Sequence, residues 1–521
     1  MAAVSQCGHF VLFVILFNFL TLSLATQDDL VINTTNGKIR GKLVSVLGAD
    51  VRAFLGIPYG KPPVGKLRFR APEPVERWDA VKDAIQFPNS CYQMPDTTFP
   101  GFKGIEMWNP NTPLSEDCLY LNVWSPRFNK TQPSPAAPVL VWIHGGGFTS
   151  GTSSLDIYDG CFLSKSEGVV VVSMNYRVGA FGFLSLPDNT NIRGNAGLLD
   201  QRLALKWVAN NIAAFGGDPS KVTLFGESAG SASVGFHLLS PGSQDLFQRA
   251  VMQSGSPNAP WATVSQTEAW DRSLILARLL ECPTSDPVRL EACLQQADVK
   301  KIAMKQFDVL KQPLLLAIPF IPHVDGAFLP DDVEVLLSTG NFPKKDVMIG
   351  LNKDEGTYFV VCGVSGFNIS GQSLITRNEF LAGVGLAMDK ASDVTREAAI
   401  FHYTDWTDQN NGMKNRDSLS SLVGDQDFIC PVLQFAHRNP GLEGAKWPMF
   451  TIEQQKYVTL NYNHPEEKMM MRAKECQLWN EFIPKVQNVS DKLVSCSNTS
   501  GIILRCNYFL LLILLVIPLT Y

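Results

Sequence analysis

No run of lysine and arginine interrupts the 521 residues, and the formal net charge is only −5. Binding to nucleic acid needs a concentrated basic surface, so no nucleic-acid partner is expected. A mildly acidic surface suits a cationic substrate and is also common on secreted proteins. Residues 29–490 also lack internal repeats, low-complexity blocks and long linkers; Pro133 to Pro138 is a short loop, not a boundary. This interval reads as a single domain, and with 45% hydrophobic residues the chain can bury one large core or two ordinary ones.

Apolar runs mark both ends. Phe10 to Leu22 precedes Ser23-Leu24-Ala25, a small-residue cleavage site. Residues 1–25 therefore read as a secretory signal, although no Lys or Arg precedes the run. Tyr508 to Leu519 follows the small residues Ser495 to Gly501 and a polar spacer with Arg505. That order is a GPI-attachment signal over 495–521, whose tail is removed. The expected location is the secretory pathway, ending at the cell surface through a lipid anchor or outside the cell. In that compartment the eleven cysteines become disulfide candidates. Asn33, Asn129, Asn368, Asn488 and Asn498 each begin a glycosylation sequon.

Continuously apolar runs occur at 138–143, 168–174, 222–225 and 346–350, as expected of strands covered on both faces. Helical periodicity fills Leu198 to Ala214, with Leu203, Leu205, Trp207 and Ile212 among polar residues. Alternating strands and helices predict an α/β fold around a mostly parallel sheet with helices on both faces.

Phe225-Gly226-Glu227-Ser228-Ala229-Gly230 lies between an apolar strand and a helix-like segment. Gly-x-Ser-x-Gly in that setting is the nucleophile elbow of α/β-hydrolases. So tight a turn needs Gly226 and Gly230, lifts Ser228 Oγ toward substrate and frees the Ala229 N–H for an oxyanion. His144-Gly145-Gly146-Gly147-Phe148 follows the 138–143 strand. Gly146 and Gly147 there complete a three-donor oxyanion hole with Ala229. His144 itself reads as structural. Asn352-Lys353-Asp354-Glu355-Gly356 follows the 346–350 run, and Glu355 suits the acid in the Ser…Glu…His order. No metal or organic cofactor is required.

Further segments carry a resemblance. They include Phe54 to Gly60, Glu106-Met107-Trp108-Asn109-Pro110-Asn111, Ser115 to Asn122, Asn175-Tyr176-Arg177 and Phe401 to Trp406. With the elbow and the Asn352–Gly356 segment, the chain resembles a cholinesterase of the carboxylesterase type B family over about 29–437 and 439–485. The resemblance implies hydrolysis of choline esters or other carboxylic esters through an acyl-serine. It makes Trp108 the aromatic face for choline, because a quaternary ammonium can be held by cation–π attraction but not by hydrogen bonds. Glu227, Tyr358 and Phe359 complete that site, and Asp96 marks its rim. Cys362 stands where the family often has an aromatic hydroxyl.

The acyl pocket is implied at Trp261, Leu316 and Ile318. The last two replace phenylalanines of acetyl-selective relatives, so tolerance of larger acyl groups is expected; a methylene is worth only about 1–3 kcal/mol. Implied disulfides are Cys91–Cys118, Cys282–Cys293 and Cys430–Cys476, and Cys496 is a candidate for pairing two chains. Cys161, Cys362 and Cys506 have no assigned partner.

One element is missing. The family's catalytic histidine follows a Trp-Pro-Glu-Trp-like segment that has no counterpart here. Resemblance stops near His437 and resumes at Asn439-Pro440-Gly441, so several dozen residues are absent near 438. After Glu355 only His402, His437 and His464 remain, none in a family position for the base. The expected result is an impaired, shortened hydrolase that has lost part of its sheet, a loss that puts the implied Cys430–Cys476 bridge at stake. A non-catalytic cell-surface binding protein is the alternative.

Overall fold

The computed structural model describes residues 28–127, 135–187, 190–310, 315–438, 449–460 and 465–498. The expected signal peptide (1–25), Asn129, His464, Cys506 and the terminal apolar run lie outside them, as do the side chains of Cys496 and Asn498. The described residues belong to two compact units. One lies within Met1–Asn258, Ala262–Lys311 and Ile318–Gly350, the other within Ala259–Trp261, Gln312–Ala317 and Leu351–Tyr521.

The first unit is organised by an eight-stranded sheet of β1 (Lys42–Val46), β2 (Ala49–Pro58), β3 (Tyr120–Pro126), β4 (Ala137–Ile143), β5 (Val170–Met174), β6 (Gly217–Glu227), β7 (Arg249–Gln253) and β8 (Asp346–Gly350). Across the sheet the order is β8-β7-β6-β4-β5-β3-β2-β1. Strands β4 to β8 are mutually parallel, and β1 to β3 add antiparallel pairs. The centre is fully apolar: Val139, Val141, Ile143, Val170, Val172, Val222 and Leu224 have no exposed surface. Each such side chain contributes about 1.5–3 kcal/mol on burial, which is why β-branched runs settle in the middle of the sheet. Helix α1 (Ala196–Asn211) takes the predicted periodic segment and buries Leu198, Leu205 and Trp207. Helix α2 (Ala229–Leu239) leaves β6 at the elbow. Between these layers Arg177 and Asp200 form a buried pair, Nε and Nη2 each donating to the carboxylate.

Strand β8 departs from expectation. Its apolar run resembles the central strands, yet its residues alternate between exposed and half-buried, and Met348 is 50% exposed. The reason is position, for among the described residues β8 is an edge of the sheet with a neighbour on one side only.

The second unit is mainly helical, with α3 (Thr357–Gly363), α4 (Arg377–Ala387), α5 (Asp393–Tyr403), α6 (Gly412–Gly424), α7 (Cys430–Arg438) and α8 (Ile483–Asn498). Local chemistry sets the starts. Thr376 and Glu379 make a capping box on α4, while Ser392 and Asn411 cap α5 and α6. Phe380, Val384, Ala399, Leu419, Leu422 and Val423 close the core. Between α6 and α7 the residues Asp425–Ile429 form a π-helical turn. The strands Lys456–Thr459 and Glu466–Met469 pair only with each other.

All three implied disulfides form, including Cys430–Cys476, whose Cα atoms are 5.0 Å apart. The implied Cys430–Cys476 bridge is thus present: helix α7 and the Ala473–Gln477 helix bring the two cysteines together on opposite sides of position 438, where the deletion is expected. Among the described residues Cys161 and Cys362 are not disulfide-bonded. Asn33, Asn368 and Asn488 are exposed. Among the described residues no helix is long and apolar enough to cross a membrane.

Candidate active site

Ser228 sits between β6 and α2 at φ 57°, ψ −121°, a conformation that costs a non-glycine residue about 1–3 kcal/mol. Packing holds it there. The Ser228 N–H donates to Gln253 O on β7 at 2.9 Å, and its carbonyl accepts from Ala232 N at 3.0 Å. A Cβ on Gly226 would lie 2.6 Å from Gly230 O, and one on Gly230 would overlap Ile143 O at the end of β4. The glycines are thus required by the close approach of three backbone segments.

The glycine loop after β4 passes directly over this turn. A Cβ on Gly145 would lie 2.8 Å from Glu227 Oε2 and 3.1 Å from Ser228 Cβ. Gly146 and Gly147 adopt φ 102° and 57°, and Gly146 O accepts from the N–H groups of Thr149 and Ser150. Among the described residues the Gly146, Gly147 and Ala229 N–H groups have no hydrogen-bond acceptor. Ile318 reaches this loop, its Cδ1 lying 3.4 Å from a Cβ built on Gly147. Tyr158 and Tyr176 were not anticipated as neighbours of Glu227. Burial pushes both phenols well up, and the Glu227 charge pushes in the same direction.

His144 is fully buried, stacked on Tyr176 with ring centroids 4.3 Å apart. Its Nδ1 lies 2.9 Å from Gly145 O, and burial pulls its pKa down to about 4. It is a neutral ring supporting the glycine loop. Trp108 is 41% exposed and donates Nε1–H to Gly104 O at 3.1 Å. Its loop is pinned next door, where Asn109 exchanges hydrogen bonds with the Asp96 backbone. The Asp96 carboxylate accepts from Thr98 N at 2.8 Å.

The remaining site residues lie in the second unit. Glu355 Oε1 accepts from Asn352 N at 2.6 Å in the turn before α3. The following Gly356 packs so closely on α6 that a Cβ there would overlap Ser420 O. Tyr358 meets Phe359 edge-on at 5.2 Å, Phe359 stacks on Phe428 at 5.1 Å, and Phe428 meets Trp261 at 5.7 Å. Phe428 thereby connects Tyr358 and Phe359, expected at the choline site, with Trp261, expected at the acyl site, a role no periodicity announced. The π-helical turn carries it, and such a turn shifts the 3.6-residue register. Leu316, like Phe359, packs against the helical core.

The same turn holds Asp427, only 5% exposed, whose main-chain carbonyl accepts from Trp261 Nε1 at 2.8 Å. Burial pushes its carboxyl up to about 8, opposed by a hydrogen bond from Gln426. A carboxyl raised above its ordinary value binds more protons folded than unfolded, so stability falls as pH rises from about 4 to 8. Melting curves from pH 5 to 8 should show Asp427→Asn gaining several degrees on the parent chain toward pH 8, since a fully linked proton is worth about 1.4 kcal/mol per pH unit. A pH-independent difference would refute this assignment.

The described histidines have other partners. His237 bonds Ser243 Oγ and Gln201 Oε1, and His323 bonds Ser185 Oγ. His402 lies on α5 against Tyr403, and His437 Nδ1 is 2.7 Å from Leu433 O. Among the described residues no histidine is hydrogen-bonded to Ser228 Oγ.

A mostly parallel sheet with a strained serine between strand and helix, beneath a glycine loop, defines an α/β-hydrolase. Residues 28–479 match the model of the carboxylesterase family, and the chain belongs to that family. Acetylcholinesterase from Bungarus fasciatus is 43% identical over 539 aligned positions, covering 89% of this chain and 88% of that protein. By family the chain is a carboxylic ester hydrolase of cholinesterase type. Of its 521 residues, 89% is about 464, which leaves about 75 of the 539 aligned positions without a residue of this chain.

Proposed function

We propose that this chain is a cholinesterase-type serine hydrolase whose binding and oxyanion elements are intact and whose turnover is impaired by loss of the general base. The observation that carries the reading is Ser228 held in a strained elbow beside three unengaged N–H donors, with no histidine on its Oγ among the described residues. Ser228 attacks the ester carbonyl, and Gly146, Gly147 and Ala229 stabilise the tetrahedral oxyanion. Glu355 is the acid that orients a base in complete relatives of this kind. Trp108 and Glu227 hold the choline cation, with Tyr358 and Phe359 as further wall. Trp261, Leu316 and Ile318 form a broad acyl site, to which we add Phe428.

The chain enters the secretory pathway through residues 1–25 and is lipid-anchored through 495–521. It carries glycans at Asn33, Asn129, Asn368, Asn488 and Asn498, and Cys496 links two copies. The missing base favours one second reading, a cell-surface protein that binds quaternary ammonium compounds without turning esters over.

Prolonged exposure to a fluorophosphonate, followed by peptide mass spectrometry, tests the site. We expect a slow adduct on Ser228, absent in Ser228→Ala, and protection by a quaternary ammonium that weakens at least tenfold in Trp108→Ala. An adduct elsewhere, or no adduct on disulfide-intact protein, overturns the assignment of Ser228.

A further inference from the structure

We propose that the open edge of β8 is a pairing surface for β8 of a second copy of this chain, antiparallel and centred on Met348. The surface is independent of the catalytic reading. Ser254 N on the β7 side donates to Gly350 O at 2.8 Å, which fixes the direction of the Gly350 peptide groups. Along a strand these directions alternate residue by residue. Gly350, Met348 and Asp346 therefore bond toward β7, and the N–H and C=O groups of Val347 and Ile349 point to the open side. Val347, Met348 and Ile349 form an uninterrupted apolar run, and none of them is buried.

The strand is self-complementary about Met348. In a two-fold antiparallel pair Val347 faces Ile349 of the other copy, and each pair exchanges two main-chain hydrogen bonds, four in all. Asp346 faces Gly350, so no like charges are opposed. Within its own sheet Asp346 is already matched by Arg249 at 3.5 Å. The opposite sheet edge, β1, differs in beginning with an exposed lysine, Lys42, a residue that discourages edge pairing. Isologous pairing uses up both β8 edges, so association by this route closes at a dimer. A five-residue strand buries less than the roughly 1,000 Å² of a stable interface, so the dimer is reversible.

The test uses the full secreted chain with Cys496→Ser, which removes the other proposed link between copies. Sedimentation over a hundredfold concentration range should show a monomer–dimer equilibrium. Ile349→Pro removes an outward N–H while sparing the β7 bonds, and should weaken dimerisation at least tenfold. In the predicted register the two Met348 Cα atoms are about 4.5 Å apart, within disulfide range. Met348→Cys should therefore form a covalent dimer under mild oxidation, and Val347→Cys should not. Monomer at all concentrations, equal cross-linking by both cysteine variants, or dimer unchanged in Ile349→Pro overturns the proposal. So does a monomer with exchange-protected Val347 and Ile349 amides, which would mean that the same chain covers its own edge.

Discussion

Butyrylthiocholine turnover by the 521-residue chain is expected to lie within about tenfold of its own Ser228→Ala variant. In a serine hydrolase the nucleophile and the base act as a unit, and removing either costs about as much as removing both. What survives is the part of catalysis owed to the oxyanion hole and to binding, about 1,000- to 10,000-fold over water. Those elements remain here, since Gly146, Gly147 and Ala229 keep unengaged N–H groups among the described residues. Inserting the relative's unmatched segment after Arg438 should raise turnover at least about 1,000-fold, or about 4 kcal/mol of transition-state stabilisation. Initial rates per mole of folded, disulfide-intact protein make the comparison. A parent chain more than 1,000-fold faster than Ser228→Ala would show that some other group serves as the base.

Gly230→Ala should abolish secretion of folded protein, with yield falling at least tenfold, whereas Gly385→Ala should be neutral or slightly stabilising. A single methyl decides the first case. It would overlap Ile143 O and lie 2.9 Å from His144 O, both main-chain atoms of a buried strand end and the loop it enters. Neither can retreat without parting β4 from β6, which pair through Ile143 and Gly226. Overpacking against backbone in a core belongs with the most severe single substitutions, about 4 kcal/mol or more. At Gly385, inside α4, the added methyl meets nothing within 4 Å. Alanine there also lowers the entropy of the unfolded chain, a gain of about 0.4–1 kcal/mol. Secreted yield and thermal melting compare the two, and a Gly230→Ala protein that melts and labels like the parent would refute the steric account.

Much of the fold was legible because its signals are local. The strand–Gly-x-Ser-x-Gly–helix pattern places Ser228 at φ 57° through sterics within a few residues, and the elbow is found there. The run 170–174 is wholly buried, as a two-sided strand should be. Leu198 and Leu205, seven residues apart, share a buried face of α1 as a period of 3.6 residues requires, while Trp207 is buried on another side of the same helix. The disulfide pairs came from family resemblance, since cysteine spacing alone leaves the connectivity open.

The rest depended on contacts between distant segments. The run 346–350 carries the same local pattern as 170–174, yet it is an exposed edge, because burial of a strand is set by its neighbours and not by its own residues. Phe428 and Asp427 escaped notice because a π-helical turn breaks the helical period that would have assigned their faces. Cys430 and Cys476 meet, although the expected deletion falls between them, because two helices bring their Cα atoms to 5.0 Å. By itself, then, the sequence determined the strained Ser228 elbow, the glycine loop and the α/β class, all products of short-range sterics and periodicity. Which strand ends the sheet, which aromatic joins Tyr358, Phe359 and Trp261, and which bridge survives were decided by tertiary structure, where residues far apart in the chain compete for the same neighbours.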